Sequence, residues 1–390
     1  VARMIAGLHA LDMAGLVALL ALAHHYLFYP LLVILLSRLK PMPSVAESPG
    51  QWPSVTLIIA AYNEEKVIAR KIENSLALDY PPDRLEIMVV SDGSSDNTAT
   101  IVERFADRGV RSLHTPERGG KTAALNRGVA EATGEILVFS DANNDYNANA
   151  LKALVRHFAD AAVGGVCGAK RIYAAEGRES SEGDSLYWRM ESAIKSAESR
   201  FRSINNGDGE IFAVRKKLYV RMDETVINDD AELTLIMLRQ GYRVLYETAA
   251  TSHEYASIDI RDDFHVKVRM VAGGFQTLAR HFWRLLPPRD WMTFSFFSHK
   301  VLRWLSPLLL IVVMIASVAR AGQPWVAAFL AAQLVCYGLA LLGWLLRGRQ
   351  PLPTPIYVPF YFCTMNLAAL FGLMRFLKGS QKVQWRKAQR

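Results

Sequence analysis

Apolar residues in this chain gather into four runs of bilayer length, and the long stretch between the first run and the second has the make-up of a soluble domain. The runs cover residues 14–36, 301–318, 325–346 and 356–377, and about 20 apolar residues suffice to cross a membrane as a helix. The chain is 51% hydrophobic over 390 residues with a mean hydropathy of +0.11, too apolar for a soluble domain of this length, and the excess lies in those runs. The first run ends at Arg38 and Lys40, is too long for a cleaved signal peptide, and lacks a small-residue cleavage site after it. His24 and His25 inside it are expected to face other helices. The resulting division is a membrane helix over 1–40, a Pro- and Ser-rich linker over 41–54, a soluble domain over 55–260, an amphipathic interface segment over 261–298, and three membrane segments with a basic tail over 299–390.

Between the runs, short apolar segments alternate with helical patterns. Strands are expected over 55–60, 85–90, 110–114 and 136–139, with helices over 65–76, 98–108 and 122–132 between them. This alternation predicts a parallel, doubly wound sheet. Each strand leads into a polar cluster: Ala61-Tyr62-Asn63-Glu64, Ser91-Asp92-Gly93, Gly119-Gly120-Lys121 and Asp141-Ala142-Asn143. In open α/β sheets ligands bind outside the carboxyl ends of the strands, so four clusters on one edge make a nucleotide pocket with an aromatic face, carboxylates for base and ribose, and a lysine for phosphate. Residues i and i+2 of an extended segment point the same way. Asp141 and Asn143 can therefore offer two oxygens to Mg²⁺ or Mn²⁺ carrying a diphosphate, the alternative being an ordinary polar turn. Neither a G-x-G-x-x-G nor a P-loop is present, which argues against dinucleotides and Walker-type ATP hydrolysis.

Further along, a helix is expected over 184–203 bearing Tyr187, Trp188 and Glu191, then the glycine-containing loop Asn205-Asn206-Gly207-Asp208-Gly209 and a strand over 211–214. Asp229 and Asp230 precede a helix beginning near Glu232, a position where acidic caps are ordinary. His253 and Glu254 follow a strand over 242–247, and His253 is either a further metal ligand or a surface residue. Over 263–284, Phe264, Val268, Val271, Phe275, Leu278 and Phe282 recur at helical spacing among Lys267, Arg280 and Arg284. That pattern suits a basic helix in the membrane interface or one packed on the domain. The net charge of +8 fits anionic lipids and a phosphorylated substrate, and no nucleic-acid motif accompanies it. Three cysteines without paired spacing point to neither a disulfide framework nor a zinc site.

Taken in order and spacing, Ala61-Tyr62-Asn63-Glu64, Ser91-Asp92-Gly93-Ser94-Ser95-Asp96, Gly120-Lys121-Thr122-Ala123-Ala124-Leu125-Asn126, Ser140-Asp141-Ala142-Asn143 and Asn228-Asp229-Asp230-Ala231-Glu232-Leu233 resemble family 2 glycosyltransferases over residues 55–280. The similarity is greatest to the membrane-bound subgroup containing cellulose, chitin, hyaluronan and poly-N-acetylglucosamine synthases. It implies an α/β, Rossmann-like domain of the A-type glycosyltransferase fold inserted between transmembrane helices. By that resemblance Tyr62, Glu64, Asp92 and Lys121 hold the nucleotide, and Asp141 opens the metal-binding Asp-x-Asp. Asn143 stands at its second position, a neutral oxygen in place of a carboxylate. Asp230 takes the place of the family's base, which removes the proton of the attacking hydroxyl. Arg269, Gly273 and Gln276 fit the processive synthases' Gln-x-x-Arg-Trp signature and its downstream Gly and Gln, while Val266 and Met270 replace the leading Gln and the Trp. Arg269 would neutralise the leaving diphosphate. Asp229 and Gln276 are expected on the diphosphate and acceptor side, with Trp188 or Tyr187 lining the acceptor path.

The expectation is a multi-pass enzyme of the cell (inner) membrane with a cytosolic catalytic domain. It would move a sugar from a UDP-sugar to a growing polysaccharide or, alternatively, one sugar to a lipid-linked acceptor; a non-catalytic membrane subunit or transporter is the rival of another class. One span before the domain and three after would put both termini outside, against the positive-inside tendency of the basic tail, unless the last segment is re-entrant.

Overall fold

The structure is a computed structural model that describes residues 2–40, 50–173, 181–255, 260–285, 290–347 and 352–383. Most of the expected linker and the end of the basic tail lie outside those residues. The sheet comprises β1 Val55–Ala61, β2 Leu85–Asp92, β3 Val110–Thr115, β4 Ile136–Asp141, β5 Asp145–Tyr146, β6 Val163–Tyr173, β7 Ile211–Arg215 and β8 Arg243–Tyr255. Their order is β3-β2-β1-β4-β7-β6-β8-β5.

All seven residues of β1 are buried, as a central strand covered on both faces requires. Alternate residues feed two cores. Val55, Leu57 and Ile59 pack with Ile68, Ile72 and Val102, while Ile58 and Ala60 pack with Ala124, Leu125 and Val129. Each large aliphatic chain so buried contributes roughly 1.5–3 kcal/mol. The helices Ile68–Leu76 and Thr98–Glu103 thus cover one face and Lys121–Glu131 the other, and the first four strands are parallel.

The second half corrects the expectation of a purely parallel sheet. β7 runs antiparallel to both β4 and β6, β6 is parallel to β8, and β5 is antiparallel to β8. β6 has little strand signal, since three of its first six residues are glycine, a residue depleted in strands. Close packing demands them: a Cβ on Gly168 would lie 2.8 Å from the Ala250 carbonyl oxygen. β8 continues past the expected end at Glu247 to Tyr255, with an irregularity in its pairing to β6 between Gly168 and Ala169.

Four helices are long and apolar enough to cross a membrane: His9–Arg38, Trp291–Ala319, Pro324–Leu345 and Thr354–Leu377. The second begins ten residues before the expected run, so the interface segment ends earlier than expected. The first two each contain a π turn, His24–Phe28 and Phe297–Val301, and the two turns meet. His24 Nε2 lies 2.9 Å from Ser298 Oγ, and His25 Nδ1 2.9 Å from the Ser298 carbonyl oxygen, so both histidines face another helix. Away from the sheet, the same helices pair Asp12 with Arg320, whose Nε donates to Asp12 Oδ1 at 2.7 Å.

Helix Ser181–Phe201 ties the domain to these spans. Its Glu191 accepts from Lys300 Nζ at 2.6 Å and Arg303 Nη1 at 2.9 Å. Glu198 accepts from Tyr29 Oη at 2.5 Å and lies 2.9 Å from His299 Nδ1. Glu191, Glu198 and His299 are all buried. Helix Ile260–Leu285 is amphipathic as expected, and it packs on both partners. Its Gly274 faces Trp304, its Val271 faces Gly372, and Phe275 stacks on Phe376 at 5.9 Å, while Gln276, Arg280 and His281 bond to the domain.

The start of the tail lies against the domain. A Cβ on Gly120 would lie 3.3 Å from Val383 Cγ1, so Val383 and Asp12 stand at opposite ends of the helical bundle.

Glu191→Ala would leave Lys300 and Arg303 without their carboxylate in a buried site. Breaking such a pair costs about 3–5 kcal/mol, and thermal unfolding in detergent should register that loss, whereas Glu73→Ala, at an exposed pair with Arg108, should change stability by less than about 1 kcal/mol.

Candidate active site

The four polar clusters do meet at one edge, and the first two turn out to brace each other. Asn63 has φ 54°, a left-handed conformation that Asn tolerates better than most residues. Its Oδ1 accepts from Ser95 N at 2.8 Å, its own amide donates to Ser94 Oγ at 3.1 Å, and Glu64 N donates to Thr98 Oγ1 at 2.7 Å. This lattice holds the turn that presents Tyr62, over whose ring the Arg118 guanidinium carbon lies 3.6 Å from the centroid.

Asp92 is fully buried. It accepts from Gly119 N at 3.1 Å, Gly120 N at 2.7 Å and Arg127 Nη2 at 2.8 Å. Its visible work is to shape the loop before Lys121, where Gly120 has φ 99°, a region open to glycine without strain.

Lys121 heads the helix that follows, and its Nζ donates to Asp141 Oδ1 at 2.5 Å and to the Gly209 carbonyl at 3.3 Å. Burial would lower its pKa, but Asp141, then Asp229 and Asp230, outweigh that and raise it. Asp230 has Oδ2 bonded by Gly209 N at 3.1 Å and Oδ1 by Ala231 N at 2.8 Å. Burial and then the Asp229 charge push the Asp230 carboxyl up to about 6, and burial raises Asp229 as well. Gly209 fits between them: a Cβ there would lie 3.3 Å from Asp229 Oδ2 and 3.4 Å from Lys121 Nζ. Lys121, Asp141, Asp229 and Asp230 are therefore one constellation, drawn from a helix start, a strand end and a second helix start.

Other expected residues have different placements. Gln276 spends its amide on the backbone before Asp229: Oε1 accepts from Ile227 N at 3.0 Å and Nε2 donates to the Thr225 carbonyl at 2.8 Å. Those two bonds hold the backbone that leads into Asp229. Asn228 Nδ2 reaches the Met270 carbonyl at 2.8 Å, and a Cβ on Gly273 would meet Asn228 Oδ1 at 2.4 Å, so the glycine is what lets the two helices close. Arg269 makes one long contact, 3.5 Å from Nη1 to the Ile227 carbonyl, and its charge acts on Asp229. Met270 is 39% exposed. Trp188 has Lys170 Nζ and Lys267 Nζ within 5.4 Å and 5.2 Å of its ring centroid; the side chain of Tyr187 lies outside those described.

Asn143 donates from Nδ2 to Glu254 Oε1 at 2.8 Å. Because β8 runs on through residue 253, successive side chains alternate, and Glu254 turns toward Asn143 while His253 turns away to Thr251 Oγ1, 2.9 Å from its Nε2. The neighbour of the expected histidine is the one that reaches the site. Among the described residues no group of three His, Cys, Asp or Glu side chains forms a metal cage. Mg²⁺ and Mn²⁺ bound with a diphosphate need fewer protein ligands, commonly one or two carboxylates.

Sequence reasoning passed over the second tier. Lys170 donates to Glu210 Oε2 at 2.6 Å and also pairs with Glu254; Lys195 donates to Asp208 Oδ2 at 2.7 Å; Lys71, wholly buried, donates to Asn144 Oδ1 at 2.8 Å. Only Lys71 carried a signal, since its spacing from Ile68, Ile72 and Ser75 puts it on the buried face of its helix.

The domain and its fold resemble those of known proteins. Residues 56–222 match the family model for glycosyl transferase family 2. The chain is 27% identical over 273 residues to the beta-monoglucosyldiacylglycerol synthase of Synechocystis, covering 66% of this chain and 55% of that one. It is 27% identical over 249 residues to the poly-beta-1,6-N-acetyl-D-glucosamine synthase of Staphylococcus aureus, covering 63% and 59%. It thus spans a little over half the length of these relatives. The solved mannosyltransferase PcManGT from Pyrobaculum calidifontis, in complex with GDP-Man and Mn²⁺, superposes with a TM-score of 0.72 at 25% identity, covering 93% of this chain and 99% of that one. A mixed sheet with its polar clusters on one edge, a matched domain and a fold shared along nearly the whole chain give this chain a glycosyl transferase family 2 domain with the A-type fold.

Proposed function

We propose that the chain is a multi-pass membrane enzyme, its domain on the cytosolic side, that transfers a sugar from a nucleoside-diphosphate sugar to an acceptor held at the membrane. The carrying observation is Asp230, a half-buried carboxylate pushed up to about 6 and fixed by two backbone amides beside Lys121. A general base works best with a pKa near the working pH. Asp230 takes the proton of the acceptor hydroxyl, the freed oxygen pair forms the new bond at the anomeric carbon from the face opposite the diphosphate, and the old carbon–oxygen pair leaves with the diphosphate. Configuration is inverted in this single displacement. Lys121 and Arg269 offset the charge on the departing group.

Asp141, Asp229 and Asp230 surround one ammonium, a surplus of negative charge that suits a divalent cation. Asp141, with the oxygen of Asn143, would hold Mg²⁺ or Mn²⁺, which when bound screens the diphosphate; the Mn²⁺ of the mannosyltransferase relative supports this. UDP is the donor carrier suggested by the resemblance to polysaccharide synthases, while that same relative carries GDP-Man, so a donor screen must include both.

For the acceptor, Met270 favours one sugar placed on a lipid or lipid-linked molecule. It is exposed beside the Asn228 clamp and has no flat ring on which a polymer's terminal sugar could stack. Trp188, flanked by Lys170 and Lys267, favours the polysaccharide reading, because it supplies the missing aromatic face from another helix.

Turnover should rise with pH through a limb near 6 as Asp230 loses its proton, and Asp230→Asn should abolish that limb and lower kcat by roughly 10²–10⁴. A folded variant with near-normal transfer would remove Asp230 from the mechanism. Chelation by EDTA, or Asp141→Ala, should stop transfer, with Mn²⁺ restoring only the chelated wild type; full turnover in EDTA would dismiss the cation. Products sized after incubation with radiolabelled donors should be single-sugar adducts, and Met270→Trp should impair their formation. Polymer from the wild type, shortened by Trp188→Ala, would instead establish the polysaccharide reading.

A further inference from the structure

The loop that bonds Asp230 also carries a carboxylate that the transfer step does not use. Asp208 precedes Gly209, whose N–H holds Asp230 Oδ2 at 3.1 Å, and its charge adds to burial and the Asp229 charge in raising Asp230. Asp208 is fixed from behind by buried groups. Lys195 Nζ donates to its Oδ2 at 2.7 Å, and the Asp208 N–H donates to Cys167 Sγ at 3.1 Å. The Lys195 side chain is 2% exposed. Burial works against its charge, and the Asp208 carboxylate outweighs that burial.

The other oxygen of Asp208 is placed differently. Both side-chain contacts, from Lys195 Nζ and from Cys167 Sγ at 3.7 Å, go to Oδ2. Among the described residues nothing donates to Oδ1. The Asp208 side chain keeps 17% of its surface exposed, and Oδ1 is not sealed from solvent. A carboxylate that only neutralised Lys195 would be at home buried beside it. This one is held rigidly with an oxygen open, as the few polar groups that orient a ligand are.

The surroundings say which ligand. Lys195 lies two turns after Trp188 on the helix Ser181–Phe201, so the two share a face. Glu210, two residues past Asp208, accepts from Lys170, whose Nζ is 5.4 Å from the Trp188 ring centroid. One loop thus reaches Asp230 through Gly209 and the surroundings of Trp188 through Glu210. We propose that Asp208 Oδ1 binds a second hydroxyl of the acceptor beside the one that Asp230 deprotonates, so that the acceptor's reacting end is a neutral sugar. A carboxylate only accepts, and the open oxygen therefore selects an O–H. A phosphate acceptor would bring more negative charge to Asp208, Asp229 and Asp230, whereas a sugar hydroxyl brings none. The proposal rests on Asp230 as the base and holds for a glycolipid and a polysaccharide alike.

The test gives the whole protein, in phosphatidylcholine nanodiscs, radiolabelled UDP-glucose, UDP-N-acetylglucosamine or GDP-mannose with one of three acceptors: octyl glucoside, octanol or farnesyl phosphate. Transfer should go to octyl glucoside, since a site built to bond a hydroxyl rejects an analogue without it. Asp208→Asn should raise the KM for octyl glucoside roughly 10- to 100-fold, the weight of one hydrogen bond to a charged group, and leave the donor KM unchanged. A role confined to shaping the loop would not give that split, because Gly209 also bonds Lys121 and Asp230, so a displaced loop would move donor KM and kcat. Asp208→Asn strips the buried Lys195 of its partner, so the double variant Asp208→Asn/Lys195→Met, which removes both charges, is measured beside it and should show the same split. Transfer to farnesyl phosphate or octanol as readily as to octyl glucoside would overturn the proposal. So would an unchanged KM for octyl glucoside in both variants. Wild-type rates of transfer to octyl glucoside by Asp230→Asn would overturn the base assignment, and the proposal with it.

Discussion

The site depends on one ammonium held among three carboxylates. The half-buried surroundings of Lys121 oppose its charge; Asp141, Asp229 and Asp230 outweigh that opposition, and the ammonium in turn offsets the crowding of three acids. Burial outweighs that offset at Asp229 and Asp230, whose carboxyls stay raised. The fold supplies these groups from positions separated by up to 109 residues, since Lys121 and Asp230 lie that far apart (230 − 121). A parallel half-sheet delivers Asp141 at a strand end and Lys121 at a helix start, and the antiparallel half brings the Gly209 loop back over them.

The first half of the domain was legible because its signals are local. Short apolar runs closed by Asp92 and Asp141 mark strand ends, and the Gly119-Gly120-Lys121 turn marks a helix start. Asp230 was found through the resemblance, since an acid at a helix start has an ordinary explanation. The glycine-rich β6 and the full reach of β8 were not legible, because tertiary packing overrode weak strand preference. Ending β8 at Glu247 also left the facing of His253 and Glu254 open, and the alternation of a continuous strand is what separates the two side chains. The backbone bonds of Gln276 were not legible either, because a motif fixes a residue's place along a helix and leaves open what its side chain meets.

The join between domain and membrane helices was the least readable part. Glu191 and Arg303 are 112 residues apart, and each looks like an ordinary charge on a helix. Their pairing, with Lys300 and His299, explains how charged residues can begin a candidate span: the domain supplies their counter-charges. Glu198 extends the same network to Tyr29 and Asn205, so the first span, the second span and the sheet share one set of buried bonds. A shift of either helix would have to break several of them together.

The contact of Val383 with Gly120 bears on how the chain can be handled. Whatever follows residue 383 departs from beside the glycine loop that Asp92 shapes and Lys121 ends. A bulky fusion attached there would crowd the loop that leads into Lys121, whereas one joined ahead of Asp12 would start beside Arg320, at the far end of the bundle. The placement of an affinity handle thus bears on the Lys121 loop, and a position near Asp12 is the one that leaves that loop clear.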